Sequence, residues 1–266
     1  MNSIRPLFFI LVILTFIGCN KKEDQSKTYT SRVLTSYETF NEQPLSKGDS
    51  ITILKVTEEK ESSFRVKFRD TTVRIQINPS DSSVVSEKFS FAKFVNTQKT
   101  ALLVQIADKS GLVAPSFLIA LKNGKLDVVS LYRESKGSQD QKFTKGITKV
   151  GATGYIVDND FYVTNVKTNV YLIKRQNPTE RIQGDFLMIS PDKQTLTFLV
   201  ANSIYQVNFP SDEVVTLALP SNAPKQESAI YEWLQKSYHF EKNNKGLYFL
   251  QSNKEDNRVR NISEFK

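Results

Sequence analysis

Few side chains here have the chemistry for catalysis or covalent attachment, and their scarcity excludes several activities. Cysteine occurs once, at Cys19, and histidine once, at His239. A single thiol makes no disulfide within the chain, and a single histidine cannot build a histidine-rich zinc or iron centre. A Ser-His-Asp relay would have to use His239, but the sequence has no Gly-x-Ser-x-Gly elbow. It has neither a Walker loop nor a Rossmann glycine fingerprint. Carboxylate, lysine and tyrosine chemistry remain, so no cofactor and no metal is expected. The run Asp158-Asn159-Asp160 offers oxygen ligands of the kind calcium takes, but between two short strands it reads as an Asx-rich hairpin turn. Asp140, Asp185 and Asp192 also sit in loops. A glycan hydrolase would need two carboxylates about 5 to 10 Å apart, and Asp158, Asp160 and Asp185 are the candidates. His239, flanked by Tyr238 and Phe240, reads as a packed, hydrogen-bonded histidine.

The strongest binding signal is a row of cations. In Phe64-Arg65-Val66-Lys67-Phe68-Arg69 the apolar residues alternate with Arg65, Lys67 and Arg69. On a strand that alternation puts Phe64, Val66 and Phe68 on one face and the cations on the other. Arg74 follows across the turn Asp70-Thr71-Thr72. Such a stripe fits phosphates or carboxylates, and it equally suits a solvated sheet face or a charged edge that resists aggregation. The chain carries a net +8, from 36 basic and 28 acidic residues. Outside the cytoplasm, that balance points to an acidic glycan, an acidic protein or anionic lipid rather than nucleic acid.

Cys19 supplies the address. Arg5 precedes an apolar run, Leu7 to Ile17, which Gly18 and Cys19 end. A bilayer-spanning helix needs about 20 apolar residues, so the run reads as the core of a secretory signal. Phe16-Ile17-Gly18-Cys19 resembles the lipobox of bacterial lipoproteins, with Phe16 where the family usually has leucine. The resemblance implies cleavage after residue 18 and lipid attachment at Cys19, whose several acyl chains would hold the protein to a membrane. Residues 19–30 read as a flexible polar tether. Asn20 is not the aspartate that retains some lipoproteins in the inner membrane. Lys22-Glu23-Asp24 resembles the export tag of surface lipoproteins in Bacteroidetes-like bacteria. The expected location is the cell envelope, lipid-anchored to the outer membrane on its periplasmic face or at the cell surface.

The rest of the chain, 31–266, reads as all-β. Strand signals run through Ile51 to Val56, Phe64 to Arg69, Val73 to Ile77, Ala101 to Ile106, Ser116 to Leu121 and Leu126 to Tyr132. Asn123-Gly124 between the last two marks a tight hairpin, because both central positions of a type I′ turn need positive φ. Arg133 to Val150 reads as a polar loop or ragged hairpin. Further strands follow at Tyr155 to Val157, Phe161 to Thr164, Val170 to Lys174, Phe186 to Ile189, Thr195 to Val200, Ile204 to Phe209 and Val214 to Leu219. One short helix is expected over 224–237, from Pro224 and the helical spacing of Ile230, Trp233 and Leu234. Trp233 should pin it to the sheet. Gly246 to Ser252 and Val259 to Ile262 suggest a closing hairpin.

Ser190-Pro191-Asp192-Lys193, leading into Thr195 to Leu199, is similar to the Ser-Pro-Asp-Gly turn between the first two strands of WD-type and Tol-type β-propeller blades. Ser203-Ile204-Tyr205 follows at the corresponding place. The resemblance covers roughly 151–219 and implies an irregular propeller, although the repeat spacing is uneven; a β-sandwich is the alternative. A boundary near 79–86 would separate an N-terminal β module. The expected function is non-enzymatic binding or scaffolding for another envelope protein or an acidic glycan. A carboxylate-based envelope hydrolase and an immunity or inhibitor lipoprotein are the alternatives.

Overall fold

The structure, a computed structural model, describes residues 25–46, 48–58, 61–77, 84–107, 115–136, 145–224 and 227–253. The signal region, Cys19, Asp140, the stretch 78–83 and the suggested strand at 259–262 lie outside them. The protein is all-β with one short helix. The N-terminal segment supplies three short strands, β1 (Ser26–Thr30), β2 (Arg32–Val33) and β3 (Glu38–Thr39). Antiparallel meanders follow: β4 (Ile51–Glu58), β5 (Glu61–Phe68), β6 (Thr71–Gln76) and β7 (Val85–Ser86); β8 (Phe89–Phe94), β9 (Ala101–Ile106), β10 (Ser116–Lys122) and β11 (Lys125–Ser130); β12 (Ile147–Val150), β13 (Gly154–Val157), β14 (Phe161–Thr164) and β15 (Asn169–Leu172); β16 (Asp185–Ile189), β17 (Thr195–Val200), β18 (Ser203–Asn208) and β19 (Glu213–Ala218). The helix α1 (Glu227–Ser237) leads into a hairpin, β20 (Tyr238–Lys242) and β21 (Tyr248–Ser252).

The first two meanders join where Phe64 of β5 pairs with Phe89 of β8, giving one ten-stranded, nearly closed, barrel-like sheet. The described strands on both sides of the 79–86 region share this sheet. The later meanders are separate sheets that stack in sequence. Alternate residues of one strand enter different cores, which is what a side-chain period of two requires when both faces are covered. In β9, Leu102, Val104 and Ile106 face the first meander, while Ala101 and Leu103 join Tyr155, Val157 and Phe161 of the third. In β13 and β14, Ile156 and Tyr162 turn the other way and meet Leu196, Phe198, Tyr205 and Val207 of the fourth. In β18, Ile204 meets Ile230 and Leu234 of α1 and Leu250 of β21. Each such fully buried side chain contributes about 1.5–3 kcal/mol relative to an exposed one.

Local signals account for the turns. Asn123 and Gly124 have φ of 51° and 70°, as the β10–β11 hairpin demands. Lys193 adopts φ 64° in the blade-like turn, and Ser190 ties that turn by accepting from the Thr195 amide at 2.9 Å. Trp233 packs edge-on to Tyr238 at 5.4 Å, in the packing role expected of it.

Two expectations need correction. Ser26–Thr30, assigned by composition to the tether, is β1: it is rich in strand-forming Thr and Tyr, it pairs in parallel with β6, and Tyr29 packs on the core there. Among the described residues, β21 pairs with β20, immediately after the helix. His239 is hydrogen-bonded as expected, through Nδ1 to Asn253 at 2.7 Å, but its side chain is 41% exposed because Tyr238 and Phe240 take the inward positions.

The N-terminal segment works as a strap. Within fourteen residues it adds β1 to β6, β2 to β11 and β3 to β15, so it crosses from the first meander to the third. At the other end of the stack a side chain replaces a strand. Gln206 of β18, fully buried, donates to the Leu250 carbonyl at 3.2 Å and accepts from the Leu250 amide, so its amide acts as a peptide group along β21. Gln206→Leu should leave both Leu250 groups unsatisfied and cost about 2–4 kcal/mol in urea denaturation, with hydrogen-exchange protection lost first in β20 and β21.

Candidate functional site

The cationic row is shorter than the sequence implies. Val66 and Phe68 point into the core with Phe64 beside them, and Arg65, Lys67 and Arg74 occupy the opposite face. The strand ends at Phe68, however, and Arg69 sits in the following turn at φ 56°. Carboxylates meet the arginines: Glu87 bridges Arg65 at 3.2 Å and Arg74 at 2.8 Å, and Arg69 reaches the buried Asp49 at 2.6 Å while lying over the Phe68 ring. Lys67 lies half-buried between Arg65 and the turn. Arg69 and Arg74 keep 57% and 44% of their side chains exposed. The four cations therefore share one region of the first meander and still present charge to solvent.

The acidic candidates have structural roles. Asp158 and Asn159 take positive φ in the β13–β14 turn, as an Asx-rich turn should. The Asp158 carboxylate accepts from the Gly146 amide at 2.9 Å, and the Asn159 amide donates to the Ile182 and Gly184 carbonyls, both at 2.8 Å. Asp160 is 1% exposed. One of its oxygens accepts from Arg133 and from Arg175 Nε, the other from Arg175 Nη2 at 2.7 Å, and Arg181 lies 3.7 Å away. Asp185 is 61% exposed beside Lys145. Asp192 is taken up in the Ser190 turn. Buried beneath Arg133 and Arg175, the Asp160 carboxylate is not open to a substrate. Among the described residues, no group of three or more His, Cys, Asp or Glu side chains is placed to hold a metal.

Sequence reasoning missed two constellations. The first is the arginine set around Asp160. Arg133 also donates to the Ile173 carbonyl, and Arg175 to the Glu134, Pro178 and Arg133 carbonyls, so Asp160 fixes the two loops around β12–β15 to each other. Apart from the nearby Pro178 carbonyl, the groups these arginines meet lie 15 to 42 residues away in the chain, and no local pattern announces them. The second is a patch on β3 and β15. Thr39 opposes Asn169 in register, and one step further Tyr37 lies over Tyr171 with ring centroids 4.6 Å apart. On the other face of β3, Glu38 joins Arg32 at 2.7 Å and Lys122 at 2.9 Å.

Comparison with protein-family models and with curated proteins finds no match.

Two outcomes test this geometry. Asp160→Asn removes the shared counter-charge of the buried arginines and should cost about 3–5 kcal/mol in chemical denaturation. Burial alone would raise the Glu38 carboxyl, but hydrogen bonds from Lys122 and Arg32 outweigh it and hold the group below its ordinary 4.5. A carboxyl depressed by folding stabilises the native state above its unfolded value, and that contribution disappears as pH falls through the folded value. Denaturation followed from neutral pH to about pH 3 should therefore show a smaller acid-induced loss of stability for Glu38→Gln than for the wild type.

Proposed function

We propose that the protein is a non-enzymatic binding or scaffold lipoprotein of the bacterial cell envelope. Cys19 carries its lipid anchor, the outer membrane is its location, and another envelope protein or an acidic glycan is its partner. The anchor rests on the lipobox-like residues 16–19. The observation that favours binding over turnover is the state of Asp160, the central acidic candidate: it is 1% exposed and bound by Arg133 and Arg175, so its chemistry serves the fold. A glycan hydrolase built on Asp158, Asp160 and Asp185 would require those carboxylates to face one open cleft. Each is instead committed to a different contact: an amide, a pair of arginines and a lysine. The stacked sheets give a rigid body on which exposed cations and loops can meet a partner, and contacts through Arg69 and Arg74 should weaken with salt.

Palmitate labelling and fractionation of cells producing the wild type or Cys19→Ser test the anchor. Label and membrane association should both vanish in the variant; a labelled, membrane-bound Cys19→Ser protein would refute it. Cross-linking of the wild type in intact cells, followed by mass spectrometry, then identifies the partner.

A further inference from the structure

The face of β3 and β15 that carries Tyr37, Thr39, Asn169 and Tyr171 has the makings of a sugar platform. Residues two apart on a strand share a face, and opposed residues on paired strands are neighbours, so these four side chains form a two-by-two patch. The patch is open because of strand count. This sheet has five strands, with β3 as the fifth, and it packs against a sheet of four, β16–β19. Tyr171 is half-buried against Phe209, at 4.6 Å between ring centroids, and Phe209 packs on Tyr162 at 4.7 Å. Tyr37 caps this aromatic series and keeps 52% of its surface exposed.

The polar atoms of the patch are ordered as well. Thr39 Oγ1 donates to Asn169 Oδ1 at 2.9 Å, so the Tyr37 hydroxyl, 2.9 Å from the same Oγ1, is the donor to it. Asn169 and Tyr37 also interact with the Tyr171 hydroxyl, whose pKa burial raises. Hydrogen bonds that run head to tail polarise one another and fix their direction. The Tyr37 hydroxyl is therefore held in one orientation, next to an aromatic face that is already immobilised. An exposed ring held by both stacking and a hydrogen bond loses little freedom when a ligand covers it.

We propose that this patch binds a pyranose-based glycan: one sugar ring lies on the exposed face of Tyr37, and its hydroxyls bond to the Tyr37 oxygen and to the Thr39 and Asn169 side chains. The geometry matches a sugar, which offers an apolar C–H face edged by hydroxyl groups. This rests on the reading of the protein as a binder and names the glycan arm of it; it does not depend on the anchor or on the Arg65 row.

The test is affinity electrophoresis of the detergent-solubilised full-length protein in native gels containing xylan, laminarin or polygalacturonate, with chitohexaose titrated by calorimetry. Binding to at least one of these is expected. Tyr37→Ala should weaken it about tenfold, the loss of one aromatic stacking contact, Tyr37→Phe should keep most of it, and Asn169→Ala should fall between. Because Tyr37 is half-exposed, near-ultraviolet circular dichroism and the thermal midpoint can confirm that each variant is folded. Binding that survives unchanged in folded Tyr37→Ala would overturn the site. No binding to any of the four probes would overturn the glycan assignment, as would capture of a protein by a photo-cross-linker placed at position 37 without glycan binding. Neither result touches the palmitate-labelling outcome for Cys19→Ser.

Discussion

Burial on two faces is the constraint from which the rest of the architecture follows. A strand covered on one side can alternate apolar and polar residues, but β9, β10, β13 and β14 are covered on both, so nearly every position is apolar. Sheets of that kind need a neighbour above and below, and the stack has to stop somewhere. At one end it stops by curvature, where β5 joins β8 and the first two meanders wrap around their shared core. At the other it stops by a change of chemistry. The outer face of β17 and β18 carries buried Thr195, Gln206 and Asn208: Asn208 bonds to Thr195, and Gln206 bonds to the short hairpin in place of a further full sheet.

Packing fixes the order of the sheets, and polar contacts fix their ends. Asp160 gathers Arg133 and Arg175 at a hairpin turn, and those arginines pass the constraint to the carbonyls of two connecting loops. A charged hub of this kind contributes less to net stability than its short distances suggest, because desolvating the ions offsets their attraction. Its effect is conformational: it leaves those loops few alternative paths. The β3–β15 patch gains its rigidity in the same way, from a scaffold that holds each ring and hydroxyl before any ligand arrives.

Much of the fold was legible in the sequence, because it rests on local pattern. Alternation and β-branched runs located most of the strands from Ile51 to Leu219, though not β7, β8 or β12; Asn123-Gly124 located a turn, and Ile230, Trp233 and Leu234 located the helix. What escaped depends on distant partners. β2 and β3 are two residues each and have no period to read, and they exist because β11 and β15 offer edges to them. β1 hid in a polar composition for the same reason. Arg69 carried the alternation one residue too far, since nothing local says that the chain turns there. The candidate sites were less legible than the fold: the acidic turn was identified as a turn, but neither the arginines that bury Asp160 nor the meeting of Tyr37 with Tyr171 leaves a trace in the order of residues.

The strap formed by β1, β2 and β3 has a mechanical side. Any tension on the chain upstream of Gln25 enters the fold through β1, which lies parallel to β6 with five residue pairs in register. A pull directed along the strand axis meets hydrogen bonds that run across it, so the pairs resist together in shear instead of opening one at a time like a zipper. Behind β1, the pairings of β2 and β3 hand the remaining force to the second and third meanders. A body hung from its N-terminus would thus distribute a tug over three layers before any of its cores had to open.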